Sequence, residues 1–268
     1  MTDSSTAEFS MLLWLLGALV MGLAAHLGQA WVRMTQRGPT LVRQWPALLL
    51  SSSALGAGMC SALVLCMQAE ALSFPVGYKV MAALGLWAAA IVGCLFAVAL
   101  TAFSTRSWVL FASGTLLAGV VMGLEFGWVW AAGFRPGVLW RNELVGGAAV
   151  LQIIGLALAN WLAFSQACQA SERRPLWRLA ASALVALTVM GGQTVMLLAA
   201  DVLGQRGSVY QSELPGTVLS LVFGVLVPLV LAAMSLDLWL RRSQRSPRGH
   251  ANFNPPKRRK RRQRVRLL

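Results

Sequence analysis

The chain of 268 residues is 57% hydrophobic and only 12% charged, with a formal net charge of +14 and a mean hydropathy of +0.65. A soluble domain needs more charge on its surface, so this composition excludes an ordinary soluble globular protein. Several uncharged runs reach about 20 residues, the length that crosses a hydrocarbon core as a helix. The sequence therefore predicts an all-α membrane protein.

Seven apolar runs follow one another along the chain, and each is predicted to form one transmembrane helix. These runs are residues 9–33, 46–68, 78–103, 108–130, 144–164, 179–203 and 217–240. We expect Pro46 to start the second helix, because proline is well accepted in a first turn. The flanking residues are polar, which predicts a membrane domain at 9–242 between tails at 1–8 and 243–268.

Basic residues are concentrated on one side of the predicted helices. Nineteen of the 23 lysines and arginines lie at Arg33, in the connections after helices one, three and five, or beyond Leu240, where there are twelve. Cytoplasmic segments carry such an excess of positive charge. The distribution therefore predicts an N-terminus outside and a C-terminus in the cytoplasm.

Related segments recur within the apolar region. Gly56, Gly123 and Gly191 stand in similar contexts and are spaced 67 and 68 residues apart. A proline-marked loop and a second apolar run follow each of them. Even spacing of matching segments indicates internal duplication. We therefore expect one leading helix followed by three two-helix repeats.

This arrangement resembles the MHYT-domain family of bacterial membrane sensors over roughly residues 10–242. The resemblance rests on Met-Gly-Leu openings such as 122–124, on Pro75-Val76-Gly77-Tyr78, and on Leu-Ala-Leu-Ala-Asn-Trp-Leu at 156–162. It implies a multi-pass protein of the bacterial inner membrane. In that family, Met-His-Tyr motifs near the outer face are proposed to bind copper and to sense a gas or redox state.

Other residues occupy the Met-His-Tyr positions in this chain. The aligned sites are Ala62-Leu63-Val64, Val129-Trp130-Ala131 and Leu197-Leu198-Ala199. Their side chains offer no metal ligand, so no cofactor is expected there.

A separate set of soft ligands lies on the second predicted helix, where positions seven apart share one face. This set is Met59, Cys60, Cys66 and Met67. Thioether and thiolate groups suit Cu(I), whereas both residue types are also ordinary apolar filler. We expect packing, with copper as the alternative.

Glu125 and Gln193 each follow their repeat's glycine by two residues. Equivalent positions on duplicated helices should face a common axis, and an intramembrane acid is by default a functional hypothesis. Glu125 could bind a ligand, pass protons or form a hydrogen bond with Gln193. A purely structural polar clamp is the alternative, with Glu125 protonated or close to water.

The C-terminal tail carries eight cations within residues 257–266. Such a segment is expected to be disordered and to attract anionic lipid at about 1 kcal/mol per basic residue. An acidic cytoplasmic protein could compete for it. The contact residues predicted for lipid or partner are Lys257, Arg258, Arg259, Lys260, Arg261 and Arg262.

The leading functional hypothesis is a non-enzymatic membrane sensor or signalling-accessory protein. The sequence contains no familiar catalytic motif, and no His and carboxylate stand at a plausible catalytic spacing. A small transporter or channel, or a structural subunit of a larger membrane complex, are the alternatives, and homo-oligomerisation is left open. A transporter requires a hydrated cavity around Glu125, whereas a sensor or subunit requires a closed core.

Overall fold

The computed structural model describes residues 9–36, 41–70, 76–135, 137–201, 207–210 and 212–243. The predicted N-terminal tail at 1–8 and the cationic residues at 257–266 lie outside these ranges. Within them the chain is almost entirely helical.

Seven helical stretches are long and apolar enough to cross a membrane, which confirms the prediction of an all-α, multi-pass membrane protein. The last stretch, Gly216–Leu240, contains a π-helical segment. In chain order the elements are α1 (Met11–Thr35), α2 (Leu41–Ala69), α3 (Val80–Phe103), α4 (Ser107–Ala132), α5 (Asn142–Phe164), α6 (Gln166–Ala170), α7 (Arg174–Ala199), α8 (Gly216–Leu221), the π-helical segment (Val222–Leu226) and α9 (Val227–Ser243).

Two helices begin five residues earlier than the sequence predicted. Pro46 lies inside α2 rather than at its start, since the helix begins at Leu41. The missing N–H of Pro46 costs one hydrogen bond close to the helix end. α7 begins at Arg174 rather than near residue 179, because Pro175 fits the first turn with its fixed φ and needs no N–H partner there.

α2 is the central helix of the bundle. α1 packs along it, and α3, α4, α7 and the last stretch also contact it, while α5 lies against α4 and α7. Every side chain from Met59 to Cys66 is buried. A helix that is apolar on all sides belongs in such an interior position.

The three glycines of the predicted repeats differ in their packing. A methyl group at Gly56 would lie 2.9 Å from the backbone nitrogen of Ile91, so this glycine allows α2 and α3 to approach closely. Nothing lies within 4 Å of such a group at Gly123, and at Gly191 only the Leu151 side chain does. The three glycines therefore share no packing role, and internal duplication remains a prediction.

At one end of the bundle, the loops joining successive spanning helices meet. We call this the capped end, and it comprises the described residues of 69–80, 132–142 and 199–216. Phe134–Arg135 pairs with Gly207–Ser208, and Leu139–Trp140 pairs with Ala200–Asp201. α7 ends at Ala199, four residues before the predicted end, because the next two residues form this pairing. The predicted sidedness would place the capped end outside the cell.

Ser208 links three segments of the capped end. Its hydroxyl lies 2.8 Å from the carbonyl oxygen of Gly77 and 2.6 Å from that of Ala132. It also accepts a hydrogen bond from the Gly77 N–H at 3.2 Å. Nearby, the Lys79 N–H donates to the Ala131 carbonyl at 3.0 Å. The start of α3 and the end of α4 are thereby held together.

Candidate functional site

The carboxyl of Glu125 on α4 is enclosed by the bundle, with 1% of the residue exposed. The amide nitrogen of Gln152 on α5 donates a hydrogen bond to its Oε1 atom. Gln152 is itself completely buried. This contact joins two neighbouring spanning helices through polar side chains at a depth where charge is costly.

Gly192 on α7 makes room for the Gln152 amide. A methyl group at Gly192 would overlap the Gln152 side chain, including its Nε2 atom. Gln152 therefore lies where α5 meets α7 while it reaches Glu125 on α4. Gln193, the next residue of α7, is 1% exposed. The hydrogen bond that Glu125 receives comes from Gln152 rather than from Gln193.

Three oxygen atoms of these side chains have no hydrogen-bond partner among the described residues. They are Oε2 of Glu125, Oε1 of Gln152 and Oε1 of Gln193. Buried acceptors of this kind carry a desolvation cost and favour any group that supplies a proton donor. A proton on Glu125 would itself turn one acceptor into a donor. The arrangement can therefore change its hydrogen bonds with protonation, or with a rotation of one helix.

A second polar contact near Glu125 connects α1, α2 and α7. The Trp14 indole nitrogen donates to Oγ1 of Thr194 at 3.1 Å, and Sγ of Cys66 lies 3.8 Å from the same oxygen. Thr194 also donates to the Met190 carbonyl at 2.8 Å. Thr194 lies two residues after Gly192, against which the Gln152 amide packs, so both polar contacts border the same turn of α7.

Trp128 forms an aromatic contact one turn from Glu125. It is fully buried, although its position near a helix end predicts an interfacial tryptophan. Its ring packs edge-on against Tyr78 at 5.6 Å and Phe223 at 6.0 Å between centroids. α4 is thereby fixed to the start of α3 and to the π-helical segment of the last span.

The sulfur atoms of the predicted soft-ligand set are buried and have different neighbours. Sγ of Cys94 lies 3.6 Å from Sδ of Met59, and the Tyr78 hydroxyl lies 4.0 Å from Sδ of Met67. Cys66 faces Thr194, while Cys60 is a buried free thiol. Across the described ranges, no group of three or more His, Cys, Asp and Glu side chains could hold a metal ion.

Two further ionisable residues of the spans lie on α1 and α9. His26 is exposed on the outward face of α1, and Asp237 is half-buried on α9. The basic residues predicted to bind lipid or a partner fall outside the described ranges.

Gln152 is the site residue that sequence reasoning missed. Its signal was a single amide in the apolar run Ala-Val-Leu-Gln-Ile-Ile at 149–154. A comparable cluster lies nearer the opposite end, where the Asn160 amide donates to Ser113 Oγ at 2.9 Å and Thr101 lies 2.8 Å from Ser113. Isolated polar residues within apolar runs therefore indicate helix contacts in this bundle.

No family model matches the chain, and neither the curated proteins nor the solved structures contain a significant match to it. The MHYT-domain resemblance therefore rests on the quoted sequence segments alone.

Proposed function

We propose that this chain is a non-enzymatic membrane sensor or signalling-accessory protein, similar to MHYT-domain proteins but without their copper sites. In this proposal, the capped end receives a signal and the spanning helices pass it to the basic tail. The tail then contacts anionic lipid or an acidic cytoplasmic protein. Bacterial inner-membrane location forms part of the same proposal.

The enclosed contact between Glu125 and Gln152 is the observation that carries the proposal. It joins α4 to α5, and Gly192 lets the same amide pack against α7. A signal passes through a membrane bundle when a packed element has two arrangements and the signal favours one of them. Polar side chains with unpartnered oxygens supply alternative hydrogen bonds for such arrangements.

A closed core favours this function over transport. A transporter or channel needs a hydrated route through its helices, with polar groups lining it. The cavities of about 480, 70 and 30 Å³ described for this chain are lined by other residues, and Glu125 borders none of the three. Glu125 is 1% exposed and lies outside these three cavities, which supports a sensor over a transporter.

Flux measurement in proteoliposomes separates the two functions. We expect proton and potassium leak from vesicles containing the protein to equal that of protein-free vesicles. Glu125→Gln should leave this leak unchanged. Glu143→Gln is the matched control, because Glu143 is an exposed carboxyl at the start of α5. Flux that exceeds the protein-free level and is lost in Glu125→Gln alone would support a transporter instead.

Partner isolation tests the signalling part of the proposal. We expect an acidic cytoplasmic protein to remain bound in mild detergent at low salt and to be lost when residues 257–268 are deleted. Charge attraction of this kind weakens as salt rises. A tail-independent, stoichiometric set of membrane partners would favour the structural-subunit alternative.

A further inference from the structure

A pocket of about 480 Å³ opens at the capped end, between the end of α4, the start of α3 and two loops. Its volume falls within the range of about 300–1,000 Å³ that is usual for small-molecule sites. The loops that form it are held in place by backbone hydrogen bonds, including Val209 N–H to the Gly133 carbonyl at 3.2 Å. The pocket is thus formed by loops that backbone hydrogen bonds hold in place.

Aromatic rings dominate the lining of this pocket. The five aromatic lining residues are Phe126, Trp130, Phe134, Trp140 and Tyr210. Phe126 and Trp140 pack edge-on with ring centroids 4.8 Å apart. Trp130 is 70% exposed, which places it at the rim rather than in the core. Aromatic side chains gain stability from contact with another ring beyond simple area burial.

Gly133 shapes the floor beside Tyr210. It ends α4 in the left-handed conformation, with φ of 59°, and a methyl group there would lie 2.6 Å from the Tyr210 ring. The tyrosine therefore packs directly on the glycine backbone. This close approach fixes the second loop against the end of α4.

Lys79 gives the pocket its charge. Among the lining side chains that the structure describes, it is the one formal charge, and it is exposed at the start of α3. Glu70 lines a different cavity of about 70 Å³, which shares Val129, Phe134 and Val138 with the pocket. An apolar, ring-lined pocket with a single ammonium group complements a ligand with a flat apolar body and one negative charge.

We propose that this pocket binds an amphiphilic monoanion whose apolar body contains fused or linked aromatic rings. Lys79 meets the anionic group, while Trp140, Phe126 and Tyr210 contact the ring system. This binding does not depend on the sensory role proposed above. An organic anion, rather than copper, would then be the ligand of the capped end.

Binding of 1-pyrenebutyrate to the protein in phosphatidylcholine nanodiscs tests the proposal. Equilibrium dialysis against protein-free nanodiscs subtracts partition into lipid. We expect saturable binding of about one probe per chain. The uncharged amide of the same probe should bind about three- to tenfold more weakly, since an exposed ion pair contributes modestly.

Matched variants assign the binding to the pocket. Lys79→Gln should weaken pyrenebutyrate about three- to tenfold and leave the uncharged amide unchanged. Arg106→Gln removes an exposed charge at the opposite end of the bundle and should have no effect. Trp140→Leu should weaken both probes, whereas Trp87→Leu, on the exposed face of α3, should weaken neither.

Three outcomes would overturn the proposal. Binding equal to that of protein-free nanodiscs would mean partition into lipid only. Binding that Lys79→Gln and Trp140→Leu both leave intact would place the ligand elsewhere. Displacement of the probe by phosphatidylglycerol, with decanoate binding as tightly as pyrenebutyrate, would mean that the pocket takes the acyl chain of an anionic lipid rather than a ring system.

Discussion

The amide of Gln152 on α5 donates a hydrogen bond to the Glu125 carboxyl on α4, and both side chains are sealed from solvent. Removing the donor alone leaves a buried carboxyl oxygen without a partner, a change that costs about 1–3 kcal/mol. We expect Gln152→Leu to lower the free energy of unfolding by that amount. Reversible unfolding in mixed detergent micelles measures it.

A double-mutant cycle isolates the pair. Adding Glu125→Leu to Gln152→Leu should recover much of the lost stability, because both partners are then apolar. The coupling energy should be about 0.6–1.7 kcal/mol, as for other side-chain hydrogen bonds within membranes. Gln29→Leu is the control for replacing a buried glutamine outside this pair, since the Oε1 atom of Gln29 has no partner among the described residues. Strict additivity of the two changes would show that the hydrogen bond carries no stability.

Tyr78 should make the protein sensitive to alkali. Burial raises its pKa to about 12 from an ordinary value of 10.0, although the Gln68 amide partly opposes this. The neutral phenol is therefore favoured in the folded protein. The contribution of this neutral phenol to the free energy of unfolding is fully present below pH 10 and is lost as the pH rises through about 12. Thermal unfolding should show a steeper alkaline decline for the wild type than for Tyr78→Phe. Parallel curves would contradict this assignment.

Ser208→Ala should loosen the capped end. The hydroxyl connects Gly77 with Ala132, and its loss leaves these buried backbone groups with fewer partners. We expect a cost of about 1–3 kcal/mol. Hydrogen exchange should rise in residues 76–79, 131–134 and 207–210. Ser220→Ala is the control, because that hydroxyl donates to the Gly216 carbonyl on its own helix. Equal hydrogen exchange in both variants would show that the Ser208 hydroxyl does not hold these segments together.

Charge asymmetry predicts the sidedness of the bundle. A reporter active only in the cytoplasm should be active when fused after Leu240 and silent when inserted at Gly207. The reason is the excess of lysine and arginine in the connections on the Leu240 side. The reverse pattern of activity would place the capped end in the cytoplasm and would overturn the proposed direction of signalling.

Purified protein should bind no stoichiometric copper at the positions aligned with Met-His-Tyr, because their side chains offer no ligand. Elemental analysis after reconstitution with Cu(I) and Cu(II) checks this. About one copper per chain that is lost with Cys66→Ser or Met67→Leu would show that the soft-ligand set binds metal. One copper per chain indifferent to both changes would instead show that the repeat alignment is wrong.

The spanning helices could be predicted from the sequence because hydropathy is a sum along the chain. Seven runs were long and apolar enough to cross a membrane, and the part of the chain that the structure describes contains seven such stretches. Local chemistry also fixes the start of α7, where Pro175 fits the first turn, although the apolar pattern alone placed that start five residues later. Glu125 could also be singled out from the sequence, because it is a lone acid within an apolar run.

The partners of these residues were decided only by the tertiary structure. Helices that are apolar on every side have no polar stripe to indicate which face turns inward. The repeat spacing therefore paired Glu125 with Gln193, whereas helix packing and the space at Gly192 bring Gln152 to it. Burial of Trp128 and the ring-lined pocket beside Lys79 likewise depend on how helices and loops cross, a relation between segments far apart in the chain.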